Sequence, residues 1–451
     1  MRSASAARQR AATPAGPGPA FLSEAPKPSL PMAFFLPGIA LLFAAAFTAP
    51  FLSVKMADWT YQKEILALVH TVTLGFLLAV FLGASVQLLP VVAGVTVTRT
   101  LLVRAAAACY FAGTLGMVFH FAKLRWNGLV LSAAAVTLAV VLFLSAVLPV
   151  LVKAPKGPVR LAFALAYSGL ALTMTAGLLI GLDRRHAFLP GAPLDHLAAH
   201  LNLGLLATFT VAIWGVSSKL LPMFLLAPAP DPRRQTTALL LLFGGAVLLA
   251  AALWLGWPSA PFAALPAAAF FVQLSLVRDL LRARRRGRID AGFRYALSAY
   301  ADLFAAGIVG LLIALGVGKG TLLSLRLPWL YGFFLLCGWV LQTVVGILSK
   351  ILPFLVWQAV YARRAGLGPL PKLADLSSER LQMAGFVLFR IATLGMAVAL
   401  FRGCVGELRA ATGFFAISLL PFAVHVALVV SHLKKPRAFG APAGTRYAAA
   451  H

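Results

Sequence analysis

The sequence has few charged residues for its length, and very few acidic ones. Of its 451 residues 11% are charged, and only 12 are Asp or Glu. A soluble chain needs roughly a quarter of its residues charged to cover its surface, so this composition excludes an ordinary soluble enzyme. There are three cysteines, scattered without a CxxC pair. That scarcity excludes a disulfide framework and the usual zinc motifs.

What the chain has instead is a series of long apolar runs, and 61% of its residues are hydrophobic. Each run has about twenty residues or more, the length of helix that crosses the hydrocarbon core of a bilayer. The sequence therefore predicts an all-α membrane protein with about twelve transmembrane helices. The predicted spans are 32–54, 64–89, 99–122, 127–152, 159–182, 195–221, 235–256, 259–277, 294–316, 327–352, 381–401 and 410–432.

The net charge of +27 raises the question of a nucleic-acid partner, but the placement of the charges argues against one. Most of the 39 Lys and Arg residues lie in alternate segments between the runs, on the side that carries both chain ends. This asymmetry is the positive-inside pattern. It predicts a multi-pass protein of the bacterial inner (cytoplasmic) membrane with both termini cytoplasmic. The expected partner is the lipid bilayer, and no nucleic acid is expected.

The apolar runs also divide the chain into three parts. Residues 1–31 are rich in Ala, Pro, Ser and Arg and are predicted to form a disordered, basic cytoplasmic N-terminus. Residues 32–433 are predicted to form a single twelve-helix transmembrane domain. Residues 434–451 are predicted to be a cytoplasmic tail.

Three of the predicted spans are similar to one another. Span 2 runs from His70 through QLLP, span 6 from His200 through KLLP, and span 10 from Tyr331 through KILP. The prolines of these segments, Pro90, Pro222 and Pro353, are 132 and 131 residues apart. Self-similarity at a fixed period indicates a structural repeat. We therefore predict three repeats of four helices, near 32–152, 159–277 and 294–433, with the prolines ending or kinking their helices.

The segments HTVTLGF, QLLPVVAG, AHLNLG and KILPFLVW, together with the threefold plan, resemble subunit I of the heme-copper oxidase superfamily. That superfamily includes oxygen reductases and nitric oxide reductases. The resemblance implies twelve helices in three arcs of four, with metal ligands on the second, sixth and tenth. His70 is at the position of a low-spin heme ligand. His196 and His200 are at the position that supplies a copper or iron ligand, and His425 lies on the helix that lines the heme pocket.

The chain departs from this family in its histidines. No histidine lies between residues 201 and 424, so the family's adjacent pair after helix 7 and its two helix 10 ligands are absent. Tyr331 and Phe333 occupy the helix 10 stretch instead. The copper centre of the family is therefore not expected, and neither is a proton-pumping oxygen reductase. A b-type heme remains compatible with His70, with His200 or His425 as further candidate ligands. Covalent heme is not expected, because no CxxCH is present.

His196 and His200 also suggest a second kind of site. Residues four apart share a helical face, so two imidazoles there could bind one metal ion if a third ligand arrived. Asp183, His186 and Asp195 are near in sequence. The alternative is a hydrated helix start. Lys219 and Lys350, together with Gln87, are equivalent polar positions of the three similar spans. They are interpreted as snorkelling side chains or as proton or quinone contacts.

The first functional hypothesis is a heme-copper-oxidase-like membrane protein that lacks the copper centre and binds b-type heme for electron transfer or for handling nitric oxide or another diatomic. The second is a metal or small-solute transporter or metal-delivery protein that uses His196 and His200. The third is a cofactor-free subunit of a respiratory assembly, with other respiratory subunits as partners. The substrate and the electron donor are left open by the sequence.

Overall fold

The computed structural model describes residues 27–362 and 370–434, and within those ranges it is helical without a strand. Twelve helices are long and apolar enough to cross a membrane. They are α1 (Ser29–Met56), α2 (Lys63–Ala93), α3 (Thr100–Lys123), α4 (Trp126–Lys153), α5 (Pro158–His186), α6 (Pro193–Leu225), α7 (Pro232–Trp254), α8 (Ala260–Ala283), α9 (Ala291–Ala314), α10 (Leu323–Val360), α11 (Glu379–Arg402) and α12 (Val405–Lys434). Each overlaps one predicted span. The prediction of an all-α, multi-pass membrane protein is confirmed.

The predicted terminal segments lie largely outside the described residues. Of the predicted N-terminal segment only 27–31 are described, and α1 already begins at Ser29. Of the predicted tail only Lys434 is described, where it ends α12. The boundaries predicted for these segments stay predictions.

The centre of the bundle is formed by α2, α6 and α10. In their most apolar 18-residue windows 61–67% of the residues are buried, against 28–50% in the other nine helices. Consecutive helices also pack in pairs, most closely α3 with α4 and α7 with α8. The three helices that the sequence singled out are therefore those with the least lipid-facing surface.

Each of these central helices contains an eight-residue π-helical segment. The segments are Thr71–Leu78 in α2, Leu203–Thr210 in α6 and Phe334–Leu341 in α10. They begin 132 and 131 residues apart, the spacing of the prolines. In α6 the hydroxyls of Thr208 and Thr210 each donate to the carbonyl five residues earlier, 3.1 and 2.7 Å away. The π-helix is rare and is found frequently at functional sites, so these segments direct attention to the side chains around them.

The prolines of the three similar spans stand inside their helices instead of ending them. The helices end three residues after Pro90, three after Pro222 and seven after Pro353. A proline removes the hydrogen bond of its own nitrogen and its ring crowds the carbonyl four residues earlier, but the residues that follow each of these prolines are helical. The prolines therefore do not end their helices, and the alternative that they kink them stays a prediction.

A buried polar network joins α9, α10 and α11. Nη1 of Arg390 donates to the Asp302 carboxylate and, over 2.9 Å, to Oε1 of Gln342. Nε2 of Gln342 in turn donates to the carbonyl of Tyr295, 2.8 Å away. Only 4% of the Asp302 side chain is exposed. Because a charge inside the apolar span is costly unless it is paired, this network ties the three helices together.

Two adjacent glycines of α7 allow a test of how closely the helices pack. A Cβ added at Gly245 would lie 2.6 Å from Cδ of Pro266 and 2.7 Å from Cβ of Leu265, on α8. A Cβ added at Gly244 would meet nothing within 4 Å. We expect Gly245→Ala to destabilise the protein by about 1–3 kcal/mol, the usual cost of overpacking. Gly244→Ala should leave the unfolding midpoint in detergent unchanged or slightly raised. Equal midpoints for the two variants would contradict this close α7–α8 contact.

Candidate functional site

The bundle encloses a cavity of about 1120 Å³ that is lined by residues of all twelve helices. The lining is overwhelmingly apolar. Among the described residues that line it, Asp195 is the one carboxylate and no lysine or arginine is present. Apolar pockets of this size with a few convergent polar groups are typical ligand sites. The polar groups of this cavity are therefore the candidates for function.

His70 and His200 face each other in this cavity. His70 immediately precedes the π-helical segment of α2, and His200 lies three residues before that of α6. Their ring centroids are 6.4 Å apart, and the ring planes differ by 19°. Gly177 of α5 leaves room for this arrangement, because a Cβ there would lie 2.9 Å from Cε1 of His200. The structure thus brings together two of the histidines predicted as site residues.

Backbone carbonyls accept a hydrogen bond from Nδ1 of both rings and so favour the same tautomer of each. Nδ1 of His70 lies 2.8 Å from the Leu66 carbonyl, and Nδ1 of His200 lies 3.0 Å from the Thr173 carbonyl. A carbonyl oxygen only accepts, so in each ring Nδ1–H donates. Each neutral imidazole then keeps its lone pair on Nε2. Histidines that bind metals are oriented in this way by a partner on the other nitrogen.

A smaller pocket adjoins the same two histidines on the side of α3, α4 and α5. Tyr61, Trp126 and Arg184 line it. The Arg184 guanidinium carbon lies 4.7 Å from the centre of the Tyr61 ring. Nη2 of Arg184 is buried and has no hydrogen-bond partner among the described residues. Burial raises the pKa of the Tyr61 hydroxyl, against the opposing effect of Arg184.

His196 lies in different surroundings from His200. It is 3% exposed, and its ring centroid is 4.6 Å from that of Trp254 on α7. Its Nε2 is buried and has no hydrogen-bond partner in the part of the chain that the structure describes. His196 does not line the cavity that holds His200. In residues 27–362 and 370–434 no group of three or more His, Cys, Asp or Glu side chains could hold a metal ion. The metal site at His196 and His200 stays a prediction without an assembled ligand set.

Asp183, His186 and Asp195, the side chains expected to complete that metal site, do not lie together around the two histidines. Oδ1 of Asp183 accepts the backbone N–H of Leu189 over 2.6 Å. His186 is exposed at the end of α5, and Asp195 lines the cavity. The structure therefore gathers none of the three around both histidines.

His425 is buried on α12, away from the other candidate heme ligands. Its Nε2 lies 3.1 Å from the carbonyl of Ser349, on α10. Because that carbonyl can only accept, Nε2 of His425 carries the proton and Nδ1 is left with the lone pair. His425 does not line the cavity either. The structure does not bring it together with His70.

Two hydrogen bonds between α6 and α10 form a further part of the site that the sequence did not reveal. The Tyr331 hydroxyl donates to Oδ1 of Asn202 over 2.5 Å, and Nε1 of Trp339 donates to the Thr210 hydroxyl over 2.9 Å. All four residues flank or belong to the π-helical segments. The signal in the sequence that could have pointed to Asn202 is its position two residues after His200.

The equivalent polar positions of the three similar spans, Gln87, Lys219 and Lys350, differ from one another in the structure. Gln87 is buried, with Oε1 unpartnered in the described part of the chain. Lys219 is exposed, whereas Nζ of Lys350 lies 3.5 Å from Oδ2 of Asp290. The three therefore form no common arrangement, and the snorkelling and proton- or quinone-contact interpretations stay predictions.

No protein-family model matches this chain. No curated protein matches its sequence. The candidate site is the cavity itself, in which the imidazoles of His70 and His200 lie 6.4 Å apart among mostly apolar side chains.

Proposed function

We propose that the protein binds a b-type heme between His70 and His200 in the central cavity, and that it serves electron transfer or the handling of a diatomic molecule such as nitric oxide. We further propose that it is a divergent relative of heme-copper oxidase subunit I without the copper centre. The threefold repeat is part of this proposal. The matching positions of the three π-helical segments and the central burial of α2, α6 and α10 support it.

The pair of histidines carries the proposal, because two is the number of protein ligands that a heme iron takes. A zinc site needs three or four protein ligands, and among the residues described no such group exists. A heme iron already has four porphyrin nitrogens and requires only axial ligands, commonly histidine. Two imidazoles alone suit a heme better than a bare metal ion.

The separation of the rings agrees with this ligand pair. His70 and His200 would hold the iron through Nε2, and the 6.4 Å between their ring centres leaves room for one atom at the usual metal–imidazole distance of about 2.0 Å. The cavity of about 1120 Å³ also has the volume and the apolar lining that a porphyrin requires.

Arg184 would bind the propionate groups of the heme. The propionates of a heme need cationic or hydrogen-bonding partners, and the unpartnered Nη2 of Arg184 lies in the pocket next to both histidines. Arg184 has no ion pair with a described acidic side chain, so Nη2 can donate to a carboxylate while the guanidinium stays against Tyr61.

Each residue has a defined part in this proposal. The Leu66 and Thr173 carbonyls hold the Nδ1 protons, which keeps Nε2 of both histidines unprotonated and oriented. The apolar lining excludes water and lowers the local dielectric constant. When bound, the heme would supply one-electron redox chemistry and, where one axial ligand leaves, a binding position for a diatomic.

The proposed setting is the bacterial cytoplasmic membrane, with both termini cytoplasmic and with other respiratory subunits as partners. The distribution of Lys and Arg supports the orientation. In this orientation His70 and His200 lie in the outer half of the bilayer.

The experiment that tests the proposal is an absorption spectrum of the detergent-purified protein, oxidised and then reduced with dithionite, together with analysis for iron, copper and zinc. We expect a Soret band, the reduced α band of a six-coordinate b-type heme, and one iron per chain. A featureless spectrum from folded protein would overturn the proposal. Stoichiometric zinc or copper in that sample would favour transport or metal delivery instead.

A further inference from the structure

The antiparallel helices α8 and α9 are in contact near the middle of the bundle. Nε2 of Gln273 lies 3.3 Å from the Tyr300 hydroxyl. One turn further along, the rings of Phe270 and Phe304 are 5.9 Å apart and nearly parallel. These contacts close the space between the two helices at that level.

Beyond this level the facing side chains are small. Continuing the antiparallel pairing, Ala267 comes opposite Gly307 and Ala264 comes opposite Gly310, and all four line the cavity. On its other side α8 packs against Gly245 of α7 so closely that an added Cβ would clash. A Cβ added at Gly307 would meet nothing within 4 Å, so the small residues leave an open gap beside it between α8 and α9.

Several large side chains of α8 and α9 both line the cavity and are exposed. Apart from Leu194 at the start of α6, the large hydrophobic residues that both line the cavity and are exposed belong to α8 and α9. They are Phe271 (59% exposed), Phe304 (47%), Ile308 (46%), Leu311 (48%) and Ile313 (37%). The outer faces of these helices lie in the span that contacts lipid.

The gap lies at the level of the paired histidines. A Cβ added at Gly310 would lie 2.8 Å from the Tyr331 ring. The Tyr331 hydroxyl contacts Asn202, two residues after His200. A molecule that passed between α8 and α9 would therefore arrive at the polar end of the cavity.

We propose that the gap between α8 and α9 is a lateral entrance from the bilayer, and that the ligand it admits is an uncharged, mostly apolar molecule dissolved in the membrane. This inference goes beyond the proposed function and does not depend on heme binding. The entrance faces hydrocarbon, so it selects molecules that partition there. The cavity offers no lysine or arginine and one carboxylate among its described lining residues, so a charged ligand would lack a counter-charge.

Cys337 provides a probe inside the cavity. It lies in the π-helical segment of α10 and lines the cavity, whereas Cys109 and Cys404 do not. With Cys109→Ala and Cys404→Ala, Cys337 is the sole thiol of the chain. The full-length protein in phosphatidylcholine vesicles is treated with pyrene maleimide, which dissolves in the bilayer, or with a sulfonated maleimide that stays in water. We expect the first reagent to label Cys337 and the second to label it far more slowly.

Two glycines supply a matched pair of variants. Gly307 lines the cavity between α8 and α9, Gly395 lies on the exposed face of α11 away from it, and an added Cβ meets nothing within 4 Å at either. Gly307→Trp should plug the entrance and slow labelling by pyrene maleimide about tenfold, which corresponds to ~1.4 kcal/mol on the barrier. Gly395→Trp should leave the rate unchanged.

The comparison uses one thiol throughout, so the intrinsic reactivity of Cys337 cancels between variants. If Gly307→Trp lowers the unfolding midpoint, Gly307→Leu replaces it as the smaller plug. Equal rates in the Gly307 and Gly395 variants would overturn the proposal. Faster labelling by the sulfonated reagent, or no labelling by pyrene maleimide, would also overturn it. Heme absorbance is not used, so failure here is distinct from failure of the proposed function.

Discussion

His70→Ala and His200→Ala should each abolish the six-coordinate heme spectrum. Each variant removes one of the two imidazoles that lie 6.4 Å apart in the cavity, so iron would have at most one imidazole ligand left. We expect a shift to a five-coordinate, high-spin spectrum or loss of most of the heme in the single variants. The double variant should retain no heme. Pyridine hemochrome content and the reduced α band of purified protein measure both effects.

His425→Ala and His196→Ala are the matched controls, because both remove a buried histidine of the same bundle. Neither residue lines the cavity, and Nε2 of His425 is engaged with the Ser349 carbonyl. Heme content and spectrum should therefore be unchanged in both. A heme complement that survives in the His70 and His200 double variant, or one that is lost only with His425, would show that the ligand assignment is wrong.

Asp302→Asn should be among the most destabilising single changes in the membrane domain. It leaves the Arg390 guanidinium without its carboxylate inside the bundle, and breaking a buried ion pair in this way costs about 3–5 kcal/mol. Replacing both partners, with Asp302→Leu and Arg390→Met, removes the unpaired charge and should recover most of the loss. Denaturant titrations of the detergent-solubilised unchanged protein, Asp302→Asn and the double variant give the three free energies of unfolding to compare.

Asp279→Asn is the control for this cycle. Asp279 pairs with Arg234 over 2.9 Å where both side chains are 43% exposed, and exposed ion pairs contribute little. Its midpoint should stay near that of the unchanged protein. If Asp302→Asn behaves like Asp279→Asn, the buried network is not what holds α9 and α11 together.

The positions of the helices could be predicted from the sequence because a bilayer requires about twenty apolar residues in each span, whatever those residues contact. For α3, residues 99–122 were expected and Thr100–Lys123 is observed. The π-helical segments could not be predicted, because they depend on which carbonyl each amide reaches. The hydroxyl bonds of Thr208 and Thr210 are visible only in the folded backbone.

The sequence predicts the residues of the candidate site but not which of them lie next to each other. His70 and His200 were both selected, but no periodic pattern places residues 130 positions apart side by side. The four-residue spacing of His196 and His200 suggested a common site, whereas the packing of Trp254 and of the Thr173 carbonyl gives them separate partners. The sequence does not reveal the ion pair between Asp302 and Arg390, because 88 residues separate them.

That separation has a consequence for biosynthesis. α9 leaves the ribosome before α11, and at ~5–20 residues per second the 88 residues between Asp302 and Arg390 take about 4–18 s to make. During this interval Asp302 lacks Arg390, the partner that it has in the folded protein. The insertion of α11 therefore supplies the counter-charge for a carboxylate that was made earlier.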